Sequence, residues 1–138
     1  MAQRPIGDII RRAPVTLPES ASVQDACCTM RDQRIGAILV LDQAGQLAGI
    51  FTGRDAVKLL AEGHNPAQTH LDRVMTRNPE CIPTGAHALD ALRTMGDGGF
   101  RHLPVVENGR VVGLVSIGDF RSVEHARLDE ETGFWERI

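Results

Sequence analysis

The stretch Leu47-Ala48-Gly49-Ile50-Phe51-Thr52-Gly53-Arg54-Asp55 decides the fold of this chain. It reads as an apolar strand that passes through a threonine into a helix opening with an acid. The same pattern returns sixty-four positions later as Val111-Val112-Gly113-Leu114-Val115-Ser116-Ile117-Gly118-Asp119. Two copies of one strand-to-helix junction within 138 residues indicate a duplicated unit.

The duplication extends well beyond the two junctions. A shift of sixty-five residues lays Arg12-Ala13-Pro14 over Arg77-Asn78-Pro79 and Pro18 over Pro83. One deletion near Ala44 then changes the shift to sixty-four. We therefore predict two pseudo-symmetric units, at residues 6–63 and 71–128, followed by a C-terminal tail at residues 129–138.

Helical and strand periodicities alternate at matching places in both units. In the first unit, Ser20 or Ser22 can cap a helix that carries an apolar stripe, and the second unit repeats that stripe. A buried hairpin follows in each unit, and the second hairpin turns at Asn108-Gly109. The order strand, helix, strand, strand, helix predicts an α/β architecture. The stripes contain Val23, Ala26, Cys27 and Met30 in the first unit and Ala88, Ala91, Leu92 and Met95 in the second.

Composition excludes several classes of function. The net charge is −3, with acids and bases interspersed, so the chain has no basic footprint for nucleic acid. No run approaches the roughly 18 apolar residues of a membrane span, and no secretory leader is evident. Cys27, Cys28 and Cys81 lack the paired spacing of a zinc site. We expect a cytoplasmic protein with reduced thiols.

Each junction has a structural and a functional interpretation. Thr52 with Asp55, and Ser116 with Asp119, match the capping box that begins a helix. A helix N-terminus also attracts an anionic group, and an acid there can accept hydrogen bonds from two ribose hydroxyls.

A glycine in the strand ahead of each junction, Gly49 or Gly113, would let a flat group approach the backbone. No residue is placed as a nucleophile. These features favour a ligand site over an enzyme active site.

The doubled unit resembles a tandem pair of cystathionine-β-synthase (CBS) domains. The motifs that carry the resemblance are Phe51-Thr52-Gly53-Arg54-Asp55 in the first copy, and Phe100-Arg101-His102-Leu103-Pro104-Val105-Val106 with Gly113-Leu114-Val115-Ser116-Ile117-Gly118-Asp119 in the second. The segment Val74-Met75-Thr76-Arg77-Asn78-Pro79 resembles the lead-in of such domains, and the likeness runs from Ile6 to His125.

The resemblance implies a stand-alone regulatory module and not a catalyst. Such pairs pack about a pseudo-twofold axis and commonly hold AMP, ADP, ATP or S-adenosylmethionine in two clefts. Two pairs often associate as a homodimer. The implied partner is a separate regulated protein whose identity the sequence does not give.

The same resemblance implies roles for individual residues. Asp55 and Asp119 would hold ribose hydroxyls, with Thr52 and Ser116 alongside them.

Phosphate would meet Arg101, His102 and Arg54. The strands at Thr16-Leu17 and Cys81-Ile82 would line the adenine.

The two copies differ where phosphate would bind. Arg101-His102 in the second copy corresponds to Gly36-Ala37 in the first, so we expect the second copy to form the stronger nucleotide site and the first to favour an uncharged ligand. Two alternatives stay open: a ligand-free interaction module, and a metal site that uses Cys81 with scattered histidines. The tail pair Phe134-Trp135 must pack either on its own second unit or on a neighbouring subunit.

Overall fold

The computed structural model describes residues 4–10 and 13–120. Helices and strands alternate along the chain, and two short 3₁₀ turns, Leu71–Arg73 and Ile117–Asp119, complete the regular structure of this part. The named elements are α1 (Ile6–Ile9), β1 (Thr16–Pro18), α2 (Val23–Gln33), β2 (Ala37–Leu41), β3 (Leu47–Thr52), α3 (Gly53–Ala61), β4 (Thr76–Arg77), α4 (Ala88–Gly98), β5 (His102–Glu107) and β6 (Arg110–Ser116).

The first compact unit spans Pro14–Pro79 and is built on a four-stranded sheet in the order β1-β2-β3-β4. Strand β1 pairs parallel with β2, and the other neighbours are antiparallel. Alternate residues of the central strands, Ile38, Val40 and Phe51, enter one apolar cluster with side chains from both helices. Helices α2 and α3 therefore cover a single face of this sheet.

The second compact unit combines the residues up to Ala13 with the chain from Glu80 onward. Its hairpin, β5 with β6, is antiparallel, and Ile82 forms a parallel bridge to Val105. Leu103, Val105 and Val115 lie in one cluster with side chains of α4. The predicted mixed α/β fold with two repeats is thus confirmed.

The register of the strands confirms the internal repeat residue by residue. Val40 lies opposite Gly49 in the first hairpin, and Val105 lies opposite Gly113 in the second. Each ladder is irregular at the next position, between Val40 and Leu41 and between Val105 and Val106. The two hairpins therefore share a register irregularity at the same position.

Each compact unit is completed by the first residues of the other repeat. The Ile6 amide donates to the Ala86 carbonyl at 2.7 Å, and the Leu71 amide donates to the Ala21 carbonyl at 2.9 Å. Both Ile6 and Leu71 are fully buried. The two repeats therefore exchange their leading segments: the segment that begins each repeat packs in the compact unit formed mainly by the other repeat.

Helix and turn signals in the sequence also have their expected counterparts. Ser22 caps α2, accepting from the Asp25 amide at 3.0 Å. Helix α3 ends at Ala61, and Gly63 follows with φ +80°. Asn108 and Gly109 both have positive φ, as a tight hairpin turn requires.

Two predictions fall beyond the described residues. The second closing helix, expected to run through Val123, Ala126 and Leu128, lies beyond the described residues, which end just after the 3₁₀ turn Ile117–Asp119. The Phe134-Trp135 pair lies outside the described range altogether. Within that range, no helix combines the length and apolar character needed to cross a membrane.

Candidate functional site

In the first unit, two predicted site residues, Thr16 and Thr52, lie on the sheet face that points away from α2 and α3. Thr16 lies opposite Leu39 across β1 and β2, and Ala37 lies opposite Thr52 across β2 and β3. Because successive side chains of a strand point to opposite faces, these residues face away from the cluster that contains Ile38. Thr16 and Thr52 therefore lie on the same side of one sheet.

The second unit repeats this arrangement. Ile82 enters the apolar cluster, so the preceding Cys81 points to the other face. On that face His102 lies directly opposite Ser116 in the β5–β6 ladder. The structure thus brings His102 and Ser116 together and places Cys81 on the same side of their sheet.

The first junction is a complete capping box. The Asp55 amide donates to Thr52 Oγ1 at 3.3 Å, and Asp55 Oδ2 accepts from the Thr52 amide at 2.9 Å and from its hydroxyl at 3.1 Å. Asp55 Oδ1 makes no hydrogen bond to any residue that the structure describes. Capping therefore uses one carboxylate oxygen and leaves the other available to a ligand.

The second junction uses its acid in the same way. Asp119 Oδ2 accepts from the Ser116 amide at 2.7 Å and from the Ser116 hydroxyl at 3.4 Å. Within residues 4–10 and 13–120, Asp119 Oδ1 has no hydrogen-bond donor. The Arg4 guanidinium also donates to the Asp119 carbonyl at 3.5 Å, which brings a positive charge to this junction.

Equivalent backbone hydrogen bonds connect each junction to the start of its hairpin. The Gly53 amide donates to the Gly36 carbonyl at 3.1 Å, and the Ile117 amide donates to the Arg101 carbonyl at 3.0 Å. Gly36 and Arg101 therefore occupy equivalent positions beside the helix start. The first unit has no side chain at the position where the second carries an exposed guanidinium.

His102 is less basic than an exposed histidine. Burial is the largest cause that lowers its pKa, and the Arg101 charge lowers it further, while Asp119 acts in the opposite direction. Near neutral pH the imidazole is therefore mostly uncharged. At this junction Arg101 supplies a permanent charge, and His102 supplies a ring whose charge depends on pH and on the ligand.

The two strand glycines make room for the chain's own residues. A Cβ at Gly49 would lie 2.6 Å from Met75 Sδ and 2.7 Å from the Thr76 carbonyl oxygen, and one at Gly113 would lie 2.8 Å from Ile10. The interpretation that these glycines admit a flat ligand group is therefore wrong. They admit the leading segments that complete each unit.

Two further predicted residues lie at the margins of the site. Arg54 is exposed on the first turn of α3, and it has no ion-pair partner among the described residues. Partial burial, and Glu80 to a lesser degree, raise the pKa of the Cys81 thiol, so Cys81 is an uncharged lining group near neutral pH. In the described ranges no three His, Cys, Asp or Glu residues lie together as a metal site would require.

The structure adds residues that the sequence patterns did not single out. A cavity of about 590 Å³ lies beside Asp55 in the first unit, and its lining includes Lys58, Glu62 and Arg73. Lys58 and Glu62 follow Asp55 by three and seven positions, a spacing that places them on one helix face. This helical spacing was the available signal, although charged residues at such positions usually belong to a solvated surface.

Comparison with known proteins agrees with this geometry. The CBS domain family matches the chain twice, at residues 6–62 and 71–126. The CBS domain-containing protein CBSCBSPB3 of Arabidopsis thaliana is 47% identical over 104 residues, which are 75% of this chain and 19% of that protein. The chain thus spans about a fifth of the length of the plant relatives that it matches.

Solved structures show the same fold. The CBS-domain containing protein ATU1752 from Agrobacterium tumefaciens is 35% identical, with a TM-score of 0.78 over 89% of this chain and 92% of that one. The CBS domain pair of protein MJ0100, in complex with 5-methylthioadenosine and S-adenosyl-L-methionine, is 25% identical, with a TM-score of 0.77 over 94% and 98%.

A third structure, the CBS domain protein PAE2072 from Pyrobaculum aerophilum complexed with AMP, has a TM-score of 0.84 over 91% of this chain and 98% of that one. At 21% identity this likeness concerns the fold alone. Two matched repeats with equivalent strand registers and equivalent capped junctions lead to one assignment: the chain belongs to the CBS domain family and contains two CBS domains.

Proposed function

We propose that this chain is a regulatory module that binds adenosyl ligands such as AMP, ADP, ATP or S-adenosylmethionine at its two strand-to-helix junctions. The observation that carries the proposal is that the two oxygens of each junction carboxylate differ in their hydrogen bonding. One oxygen of Asp55 or Asp119 caps the helix, while the other makes no hydrogen bond within the described residues. An oriented, uncommitted carboxylate oxygen is suited to accept from ribose hydroxyls.

The surroundings of each acid support a nucleoside over an unrelated ligand. The sheet face beside each acid carries short or flat side chains that are at least partly exposed, Thr16 in one unit and Cys81 and His102 in the other. Such a surface can accept a planar base. The likeness to MJ0100, whose structure contains two adenosyl compounds, points in the same direction.

We propose that the second junction prefers a phosphorylated ligand. Arg101 and Arg4 place positive charge near Asp119, and His102 can gain a proton when a phosphate approaches. The first junction has Gly36 and Ala37 at the positions of Arg101 and His102. Asp119→Ala is therefore expected to weaken AMP and ATP binding more than Asp55→Ala does, as measured by titration calorimetry.

The regulatory part of the proposal concerns partners. The two junction hydroxyls, Thr52 and Ser116, donate to the carboxylates that cap the same helix starts, which favours a capping role over a nucleophilic one. We propose that the chain forms a homodimer in the cytoplasm and reports ligand binding to a separate protein. Sedimentation with and without AMP tests the homodimer, and a monomer under both conditions would contradict it.

Mass spectrometry of small molecules released from natively purified protein tests the ligand class. We expect an adenosyl compound to be released on denaturation. In parallel, a ligand present at a hundredfold over its dissociation constant should add about 2.7 kcal/mol to the free energy of unfolding. If adenosine, AMP, ATP and S-adenosylmethionine all leave the thermal transition unchanged, the chain is an interaction module whose junctions serve only as helix caps.

A further inference from the structure

The cavity beside Asp55 lies entirely within the first unit. One wall is α3 with the residue that follows it, and together they contribute Asp55, Lys58 and Glu62. The facing wall comes from the segment that leads into the second repeat, including Arg73 and Thr76. At about 590 Å³, the volume falls in the range typical of small-molecule sites.

The cavity is lined by equal numbers of cationic Lys or Arg and anionic Asp or Glu side chains, and these do not pair with each other. Two cations, Lys58 and Arg73, accompany two carboxylates, Asp55 and Glu62. No ion pair within 4 Å involves any of these four side chains in the part of the chain that the structure describes. Charged groups of both signs that do not neutralise each other are available for a ligand that itself carries both signs.

The second junction has a different balance. Among the residues that the structure describes, two cations, Arg4 and Arg101, lie near Asp119 at this junction. A phosphate chain suits this junction, because the two arginines attract each additional negative charge of the chain. At the first junction a phosphate chain would face Glu62 as well as Lys58, and part of the attraction would be lost.

Resting on the proposed adenosyl function, we infer that the first-junction cavity binds the amino-acid tail of an adenosyl ligand of the S-adenosylmethionine class. The free oxygen of Asp55 accepts from the ribose, Lys58 and Arg73 hold the tail carboxylate, and Glu62 accepts from the tail ammonium. The two junctions of this chain then differ in ligand class, with a zwitterionic tail at the first and a phosphate at the second. The replacement of Arg101 and His102 by Gly36 and Ala37 in the first repeat then reflects a different ligand class and not the loss of a site.

Two adenosyl compounds with the same nucleoside separate this inference from the proposed function. S-Adenosylmethionine carries the amino acid on a positively charged sulfonium, and 5-methylthioadenosine lacks both the amino acid and that charge. We expect Lys58→Gln, Arg73→Gln and Glu62→Gln each to weaken S-adenosylmethionine binding about tenfold in titration calorimetry, which is about 1.4 kcal/mol, and to leave 5-methylthioadenosine binding unchanged. Arg31→Gln, an exposed cation on α2, is the matched control and should alter neither.

The chain itself provides a local reporter, because Lys58 is its only lysine. Reductive methylation with ¹³C-formaldehyde labels this side chain and keeps its charge, and Lys58→Arg identifies its NMR signal against that of the N-terminal amine. We expect S-adenosylmethionine to shift the Lys58 signal and 5-methylthioadenosine to leave it in place.

Each other outcome has a definite meaning. If 5-methylthioadenosine binds and the three variants do not affect S-adenosylmethionine, the tail site is wrong while the proposed function stands. If ATP shifts the Lys58 signal more strongly than S-adenosylmethionine, the cavity holds phosphate and the inference is overturned. If neither compound binds the wild-type chain while AMP does, the inference fails and the proposed function stands. If AMP does not bind either, both fail.

Discussion

His102 lies directly opposite Ser116 in the β5–β6 ladder, where the first repeat has Ala37 opposite Thr52. This single pair places a titratable ring beside a capped helix start in one repeat and a methyl group in the other. Burial and the neighbouring Arg101 lower the pKa of His102, and Asp119 acts in the opposite direction. The two otherwise equivalent junctions therefore differ in how they respond to pH.

Binding of AMP should be coupled to uptake of a proton by His102. An approaching phosphate favours the imidazolium form, so the pKa of His102 rises in the complex from its lowered value. We expect the calorimetric enthalpy at about pH 6.5, near the ordinary histidine pKa, to depend on the ionisation enthalpy of the buffer, with net proton uptake. His102→Gln should remove this dependence, and His70→Gln, at an exposed position, should retain it. Buffer-independent enthalpies in the wild-type chain would contradict the coupling.

Without ligand, the same histidine should make the fold less stable on acidification. Because the pKa of His102 is lower in the folded chain than in the unfolded chain, the unfolded chain takes up the proton first as the pH falls. Stability attributable to His102 is therefore constant above about pH 6.5 and decreases from there down to the folded pKa. We expect urea unfolding of His102→Gln to lose less stability than wild type across this window. An identical loss in both proteins would show that other groups dominate.

Gly49→Ala should destabilise the first unit by about 1–3 kcal/mol. The added Cβ would lie 2.7 Å from the Thr76 carbonyl oxygen, a backbone atom that cannot rotate away. Gly53→Ala, where nothing lies within 4 Å, is the matched control and should be neutral or stabilising by up to about 1 kcal/mol. Denaturant titration measures both changes. Equal stability of the two variants would mean that β4 does not hold its position against β3.

The exchange of leading segments predicts that a mutation near the N-terminus weakens residues far along the sequence. Ile6 is fully buried in the cluster that contains Leu92 and Leu103, so Ile6→Ala should cost about 2–5 kcal/mol. Hydrogen exchange should then increase mainly in residues 80–120. Val57→Ala, at a side chain 66% exposed, should leave exchange unchanged. Faster exchange confined to residues 14–63 would show that the segment stabilises its own repeat instead.

Much of the architecture could be predicted from sequence because the information is local or repeated. The sixty-five-residue shift gave the strand equivalences that the registers confirm, including Ala37 with His102. The spacing of Thr52 and Asp55 predicted the capping box, which depends only on neighbouring residues. Asn108-Gly109 predicted its turn for the same reason.

The rest depends on contacts that periodicity cannot encode. A repeat shift is the same whether Ile6 packs on its own repeat or on the other, so the exchange of leading segments left no signal. The close approach of Met75 and Thr76 to Gly49 follows from that exchange, so the sequence pattern could not predict it either. In the sequence, Lys58 and Arg73 look like two unrelated solvated charges. They line one cavity only because α3 and the later segment face each other in the fold.

The central claim is that the junction acids bind a ligand in addition to capping their helices, and Asp119→Ala compared with Asp25→Ala tests it most directly. Asp25 forms an equivalent capping box with Ser22 at the start of a different helix, α2. Titration calorimetry with AMP should show an affinity loss of at least about tenfold for Asp119→Ala and none for Asp25→Ala. Equal affinities in the two variants would contradict the account and reduce the junctions to helix caps.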